Sequence, residues 1–165
     1  MSYFRNIPFI LDYMIQGKKY TGQDLTRRTG IPDYVRNNEN VYLDYEVVDG
    51  ETPEMIADRF YGDVSLFFVI TMFNLIHDIN EDWPVDNVSL QRYIERTYND
   101  PYGIHHYESI ATGAIVDSDH DEFDRYPVTN TEHETRLNNA KRKIRVPTPR
   151  YAAQINDSHK RVIQE

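Results

Sequence analysis

The sequence predicts an α+β chain with a small strand-helix-helix centre, an added helix, a β-hairpin, C-terminal helices and extended arms. Three observations carry that expectation. The stretch from Tyr45 to Asn74, YEVVDGETPEMIADRFYGDVSLFFVITMFN, passes from strand alternation through an Asp-Gly turn into two helical stretches. Residues 104–119, IHHYESIATGAIVDSD, alternate on either side of Thr112-Gly113, as a hairpin does. From Thr131 onward, acidic residues precede a basic cluster and a proline opens a final segment, the polarity that helix termini favour.

Taken in order, residues 1–20 fit a strand or a short helix. Residues 21–43, with Gly22, Gly30, Pro32 and an Asn-rich stretch, show no dominant period, so residues 1–41 are expected as an N-terminal arm. Residues 42–100 form the expected central domain. Tyr45 and Val47 alternate with Glu46 and Val48, and Asp49-Gly50 makes the turn. Thr52 suits an N-cap and Pro53 the first helical position, where its missing N–H is harmless. Met55, Ile56 and Phe60 share a face, and Gly62 stops the helix. Asp63 and Ser65 offer a second cap before Leu66–Ile76, a helix apolar on nearly every face. Trp83-Pro84 closes a polar loop, and Asn87–Tyr98 reads as a third helix with Val88, Leu90, Ile94 and Tyr98 as its apolar positions. Residues 101–130 hold the hairpin and an acidic loop. Residues 131–165 are expected as a C-terminal helical arm. Thr131 and Glu134 stand at capping-box spacing, Lys141, Arg142 and Lys143 in the last turn, "RVPTP" extended, and a last helix runs from Pro149 to Glu165.

Composition narrows the function classes. The 165 residues carry no cysteine, so neither disulfides nor thiolate chemistry is available. Tyrosine is abundant, with 13 residues, and suits interfaces as well as cores. The net charge of −9 is uneven: residues 41–134 are strongly acidic and residues 135–165 basic. An acidic middle repels phosphates, so nucleic acid is not an expected partner. The apolar run Leu66–Phe73, interrupted by Thr71, is far below the ~20 residues of a membrane span, and the N-terminus lacks the order of a signal peptide. No membrane insertion is expected, and the chain reads as a soluble protein made in the cytoplasm.

No catalytic constellation emerges. Ser109, His105 and Glu108 are close in sequence, but no nucleophile elbow surrounds Ser109, and no Gly-rich phosphate loop exists. Asp117, Asp119 and Asp121 imitate the first ligands of an EF-hand loop, yet Glu122 stands where Gly is required and Val128 where Glu is. His105 and His106 are adjacent, and in a regular strand they would point to opposite faces. No enzyme activity, metal or cofactor is therefore expected, and the acidic residues, with His120 and Asp124, read as a solvated loop.

The series Tyr45, Val47, Gly50, Glu51, Thr52, Ile56, Ala57, Tyr61, Gly62 and Asn74 resembles the first part of a LysM domain. The likeness covers about 30 residues and lacks the closing strand, because Trp83-Pro84 and a helix follow. A longer match, through "INEDWP", "HHYE" and "NNAKRKIRVPTPRY", resembles the LysM-like baseplate wedge subunit of T4-type contractile-tailed bacteriophages, from roughly Tyr42 to the C-terminus. That resemblance implies a structural subunit of the virion's tail baseplate, assembled in the host cytoplasm. It further implies that such a subunit clamps other baseplate wedge proteins, including wedge scaffold subunits and the sheath-initiator subunit.

Two readings of the surfaces stand side by side. The second helix, with Phe67, Phe68, Phe73 and Ile76, is either buried by the third helix and hairpin or turns one aromatic flank, with Trp83, to a neighbouring subunit. The basic residues Lys141, Arg142, Lys143 and Arg145, with Arg150 and Tyr151 beyond, are either a solvated helix end or a docking arm for an acidic partner. The alternative function, a peptidoglycan- or chitin-binding module, would use Asp49, Gly50, Glu51, Thr52, Asn74, Leu75 and Ile76 by LysM analogy.

Overall fold

A computed structural model describes residues 9–23 and 30–164. Within them the chain forms two compact units that cut across the four sequence segments. One contains the residues up to Tyr45, Glu51–Ile79 and the chain from Ile144 onward; the other contains Glu46–Gly50 and Asn80–Lys143.

In the first unit, β1 (Phe9–Ile15) and β2 (Lys18–Gln23) make an antiparallel hairpin, turned at Gln16 and Gly17, both with positive φ. The part of the expected arm that is described is thus an ordered hairpin, followed by a short helix α1 (Asp33–Arg36). Residues 1–8, 24–29 and 165 lie outside the description. Strand β3 (Tyr42–Glu46) leads into α2 (Pro53–Tyr61), where Thr52 accepts from the Met55 N–H and Gly62 ends the helix at φ 65°. A 3₁₀ turn at Val64–Leu66, capped by Asp63, feeds α3 (Phe67–Phe73).

The strand that closes this strand-helix-helix unit arrives about 70 residues later. β7 (Lys143–Pro147) is the neighbour of β3 in a two-stranded sheet. Hydrogen bonds from Val47 N–H to Arg142 O and from Thr148 N–H to Val41 O give the pairing its antiparallel sense. This corrects the expected helix end at Lys141–Lys143. Ile144 and Val146 are buried while Lys143 and Arg145 are exposed, which is the period-2 pattern of a strand. Helix α7 (Pro149–Gln164) then returns to cover α3. Phe68 and Val69 pack on Ala152 and Ile155, and the Tyr61 hydroxyl donates to Pro147 O at 2.9 Å. The sequence left open whether the third helix and the hairpin cover α3 or one flank stays outward; within this unit α7 supplies cover.

The second unit contains α4 (Ile79–Asp82, from Asn80), α5 (Asn87–Thr97) and a three-stranded antiparallel sheet of order β5 (Ile115–Val116), β4 (Ile104–Ser109), β6 (Arg125–Thr129). Asp86 caps α5 by accepting from the Val88 and Ser89 N–H groups. Gly113, at φ 70°, permits the tight β4–β5 connection read from Thr112-Gly113. Helix α6 (Asn130–Ala140) begins earlier than expected. Its cap is Thr129, which accepts from Glu132 N–H, so the capping pair is Thr129 and Glu132 rather than Thr131 and Glu134. Thr131 instead donates to Pro101 O and so ties the helix start to the preceding turn. Trp83, Leu90, Ile94 and Val128 are buried in this unit.

Candidate functional site

The expected interface residues divide by burial. Phe68, Phe73 and Trp83 are 4%, 3% and 6% exposed, so they belong to the chain's own cores and not to a docking flank. Phe67 and Ile76 are half-buried, with Phe67 packed against the Phe68–Val69–Ala152 cluster. Their periodicity announced burial without saying by what, which is why the two readings stood level in the sequence.

The basic group separates in the same way. Arg142 is buried, and each arm of its guanidinium is used: Nη1 donates to Val47 O, Nη2 to Asp49 Oδ1 at 2.9 Å, and Nε to Asn139 Oδ1. It is an internal pin, not part of a docking arm. Lys141 donates to Glu81 O. Lys143 is exposed, and Arg145 lies over the Tyr42 ring at 4.8 Å while donating to Arg36 O. Tyr151 is half-buried on α7, where it lines an apolar cleft of about 330 Å³ together with Ile31, Tyr34, Val35, Met72 and Ile155.

The residues that a glycan groove would need are largely engaged inside the chain. Asp49 accepts from Arg142 and from the Asn87 N–H. Glu51, 4% exposed, accepts from the Tyr45 hydroxyl at 2.8 Å and pairs with Arg59 at 2.7 Å. Desolvation, and then Glu51, raise the pKa of Tyr45, which holds its hydroxyl as a donor. Gly50 turns the chain at φ 73°, and Thr52 is consumed as a helix cap. Asn74 uses its whole carboxamide: its amide nitrogen donates to Ile70 O and Arg145 O, and its oxygen accepts from Arg145 N–H, each at 2.8 Å. Leu75 is exposed with φ 58°.

Asn138 repeats that device in the second unit. Buried at 4%, it donates to Val85 O and accepts from Val85 N–H, both at 2.8 Å. Each asparagine side chain thereby imitates a paired peptide and clamps a strand or loop far away in sequence. The sequence reading missed Asn138; an Asn inside a helix, where its propensity is poor, was the one available signal.

The histidine and carboxylate group also differs from its linear reading. The β4–β6 register slips between Ile104 and His106, leaving His105 as the extra residue of a bulge. The alternation expected for adjacent strand residues is therefore broken, and His105 Nδ1 lies 2.8 Å from His106 Nδ1. His133, from the first turns of α6, stacks on His105 with ring centroids 3.9 Å apart and planes at 10°. Desolvation first, then His133 and His106, lower the pKa of His105. Glu108 is drawn away toward Arg136, which donates to both carboxylate oxygens, and His106 adds a third contact at 3.2 Å. These partners, Arg136 foremost, hold Glu108 below the usual carboxylate range. Ser109 donates to Asp124, which also accepts from Ala111 N–H and contacts His120, so the hydroxyl faces an acceptor carboxylate and has no histidine base. Among the described residues, the only cluster of three or more possible metal ligands whose atoms converge is His105, His106 and His133.

The largest exposed apolar side chains at the end of the three-stranded sheet were not singled out in the sequence. Phe123, Ile115 and Ile110 are 84%, 74% and 66% exposed, and Ile110 N–H bonds to Asp124 O, which places Ile110 beside the Phe123–Asp124 backbone. Among the described residues no helix is long and apolar enough to cross a membrane. Compared with family models and with curated proteins, the chain matches none of either.

Proposed function

We propose that this chain is a structural subunit of a phage tail baseplate wedge, acting by protein–protein contact. It would clamp wedge scaffold subunits and the sheath-initiator subunit of the virion. The observation that carries the reading is a division of labour among side chains. The polar groups that a sugar would need, Asp49, Glu51 and Asn74, are engaged in internal bonds, while Phe123, Ile115 and Ile110 are left in water. Exposed aromatic and aliphatic anchors suit a protein partner, where one desolvated aromatic contributes about 2 kcal/mol or more.

The order of motifs adds support. A closing strand, which the resemblance to a LysM domain lacks within the roughly 30 residues it covers, has a counterpart in β7, the neighbour of β3, and the reading takes the residues between α3 and β7 as an insertion.

Replacing Phe123 with Asp, and separately Lys143 with Glu, tests the reading at exposed side chains whose loss spares the cores. Weakened binding to reconstituted wedge proteins, with unchanged thermal unfolding, is the expected outcome. Full binding by the Phe123→Asp and the Lys143→Glu variants, alongside retention of the protein on peptidoglycan, would transfer the assignment to the glycan module.

A further inference from the structure

A bulge, a carboxylate and a helix start bring three imidazoles together in the second unit, and no part of the proposed assembly role uses them. The bulge at His105 turns two consecutive side chains of β4 toward one another, and α6 adds His133. One ligand nitrogen from each ring lies within 4.8 Å of the others. The His106 plane stands at 84° to His105 and 87° to His133, so the rings approach from different directions.

Hydrogen bonding decides which nitrogens are free. His106 Nε2 faces Glu108 Oε1 at 3.2 Å, and Glu108 is itself held by two bonds from Arg136. A carboxylate on Nε2 keeps the proton there and leaves the lone pair on Nδ1. That lone pair points at His105 Nδ1, 2.8 Å away, so the contact needs a proton or a cation between the two nitrogens. A carboxylate that orients a ligating imidazole through its second nitrogen is the usual outer partner of a metal-binding histidine. Lysines, which would repel a cation, are absent from the described partners of the three rings; the nearby cation, Arg136, is already neutralised by Glu108 and Glu132.

We propose that His105, His106 and His133 form a binding site for a divalent transition ion with imidazole preference, of the zinc, nickel or copper type, with Glu108 as the residue that positions His106. Three neutral nitrogens and no thiolate match that class of ion and disfavour magnesium and calcium, which want oxygen. Binding through both Nδ1 atoms would move the proton between them to His105 Nε2 and open their separation to about 3.3 Å, as Zn–N bonds of about 2.0–2.1 Å at tetrahedral angles require. It would also unstack His133, because parallel rings direct their lone pairs in parallel planes. The ion would then join β4 to the start of α6.

The test uses the full-length chain freed of any affinity tag, titrated with zinc ion alone by calorimetry and with cobalt(II) by visible absorption. One saturable equivalent is expected, with a tetrahedral-type cobalt spectrum and a raised melting temperature. His106→Ala and His133→Gln should each lose affinity by more than about tenfold. Glu108→Gln should lose about 10–100-fold, as outer-partner changes typically do. Circular dichroism of the metal-free variants checks that they remain folded, and His133→Gln, on a half-buried helical position, serves if His106→Ala unfolds. Absence of saturable zinc binding by the wild-type chain, or equal affinity in His133→Gln, would overturn the site.

Discussion

Side chains that stand in for backbone are the residue-level theme of this chain. Asn138 satisfies both polar groups of Val85 from within α6, and Asn74 does the same for Arg145 from the end of α3. Removing a partner leaves donors and acceptors without their bonds, which is more costly than the bond's net worth. Asn138→Leu, at a buried site, should therefore destabilise the fold by about 2–4 kcal/mol, and Asn74→Ala, facing exposed Arg145, by about 1–2 kcal/mol. Chemical denaturation measures both, and equal midpoints for wild type and Asn138→Leu would contradict the clamp. Arg142 is a second such case. Arg142→Glu should sharply lower the melting temperature because it places a carboxylate beside Asp49 and leaves Val47 O without its donor, whereas Lys143→Glu should leave melting nearly unchanged. Local chemistry was legible at this scale: Thr52 and Gly62 act as cap and stop, as their types suggest. The clamps were not legible, because their partners lie 71 and 53 residues away and no local pattern encodes them.

Among the elements, α2 and α5 matched their sequence spans closely because caps, apolar spacing and stops agreed. Gly62 stands at φ 65° with open space around an added Cβ, so Gly62→Ala should lower stability by about 1 kcal/mol through backbone strain alone. The first two residues of β7 were read as a helix end because three consecutive basic residues fit a helix C-terminus, while Arg145–Pro147 fall in the stretch read as extended; the alternation of Ile144 and Val146 carries the strand signal, with β3 as its partner. The bulge in β4 had no sequence signal at all. Helix α7 carries its own pH dependence. His159 is 3% exposed beside Phe68, and burial lowers its pKa from the ordinary 6.5. A histidine with a depressed folded pKa lets the unfolded chain take up the proton first, so stability is full above 6.5 and declines as pH falls below it. The lowered carboxylates Glu108 and Asp124 act in a separate, more acidic window, below their ordinary values of 4.5 and 3.8. Melting temperature measured between pH 8 and 5 should fall for wild type, and His159→Leu should flatten the pH 7 to 5 portion; an unchanged slope in that variant would assign it elsewhere.

For the whole molecule, the two units interleave in sequence: the first is closed by a strand and a helix that follow the second. A chain of this order has its termini-side elements completing a core begun near residue 42, so a linear division into arm, centre, hairpin and tail does not coincide with the two units. The α+β class was legible because strand and helix periods are local, and the grouping was not, because β3 and β7 are joined only through space. Exposed Phe123, Ile115 and Ile110 on the second unit and the cleft beside Tyr151 on the first leave each unit with an apolar surface of its own. The most direct measurement is affinity purification of the tagged full-length chain from phage-infected or reconstituted cells, with copy numbers by quantitative mass spectrometry. Recovery of a small set of tail proteins in fixed ratio is the expected result; recovery of cell-wall fragments, or of no tail protein, would contradict the structural role.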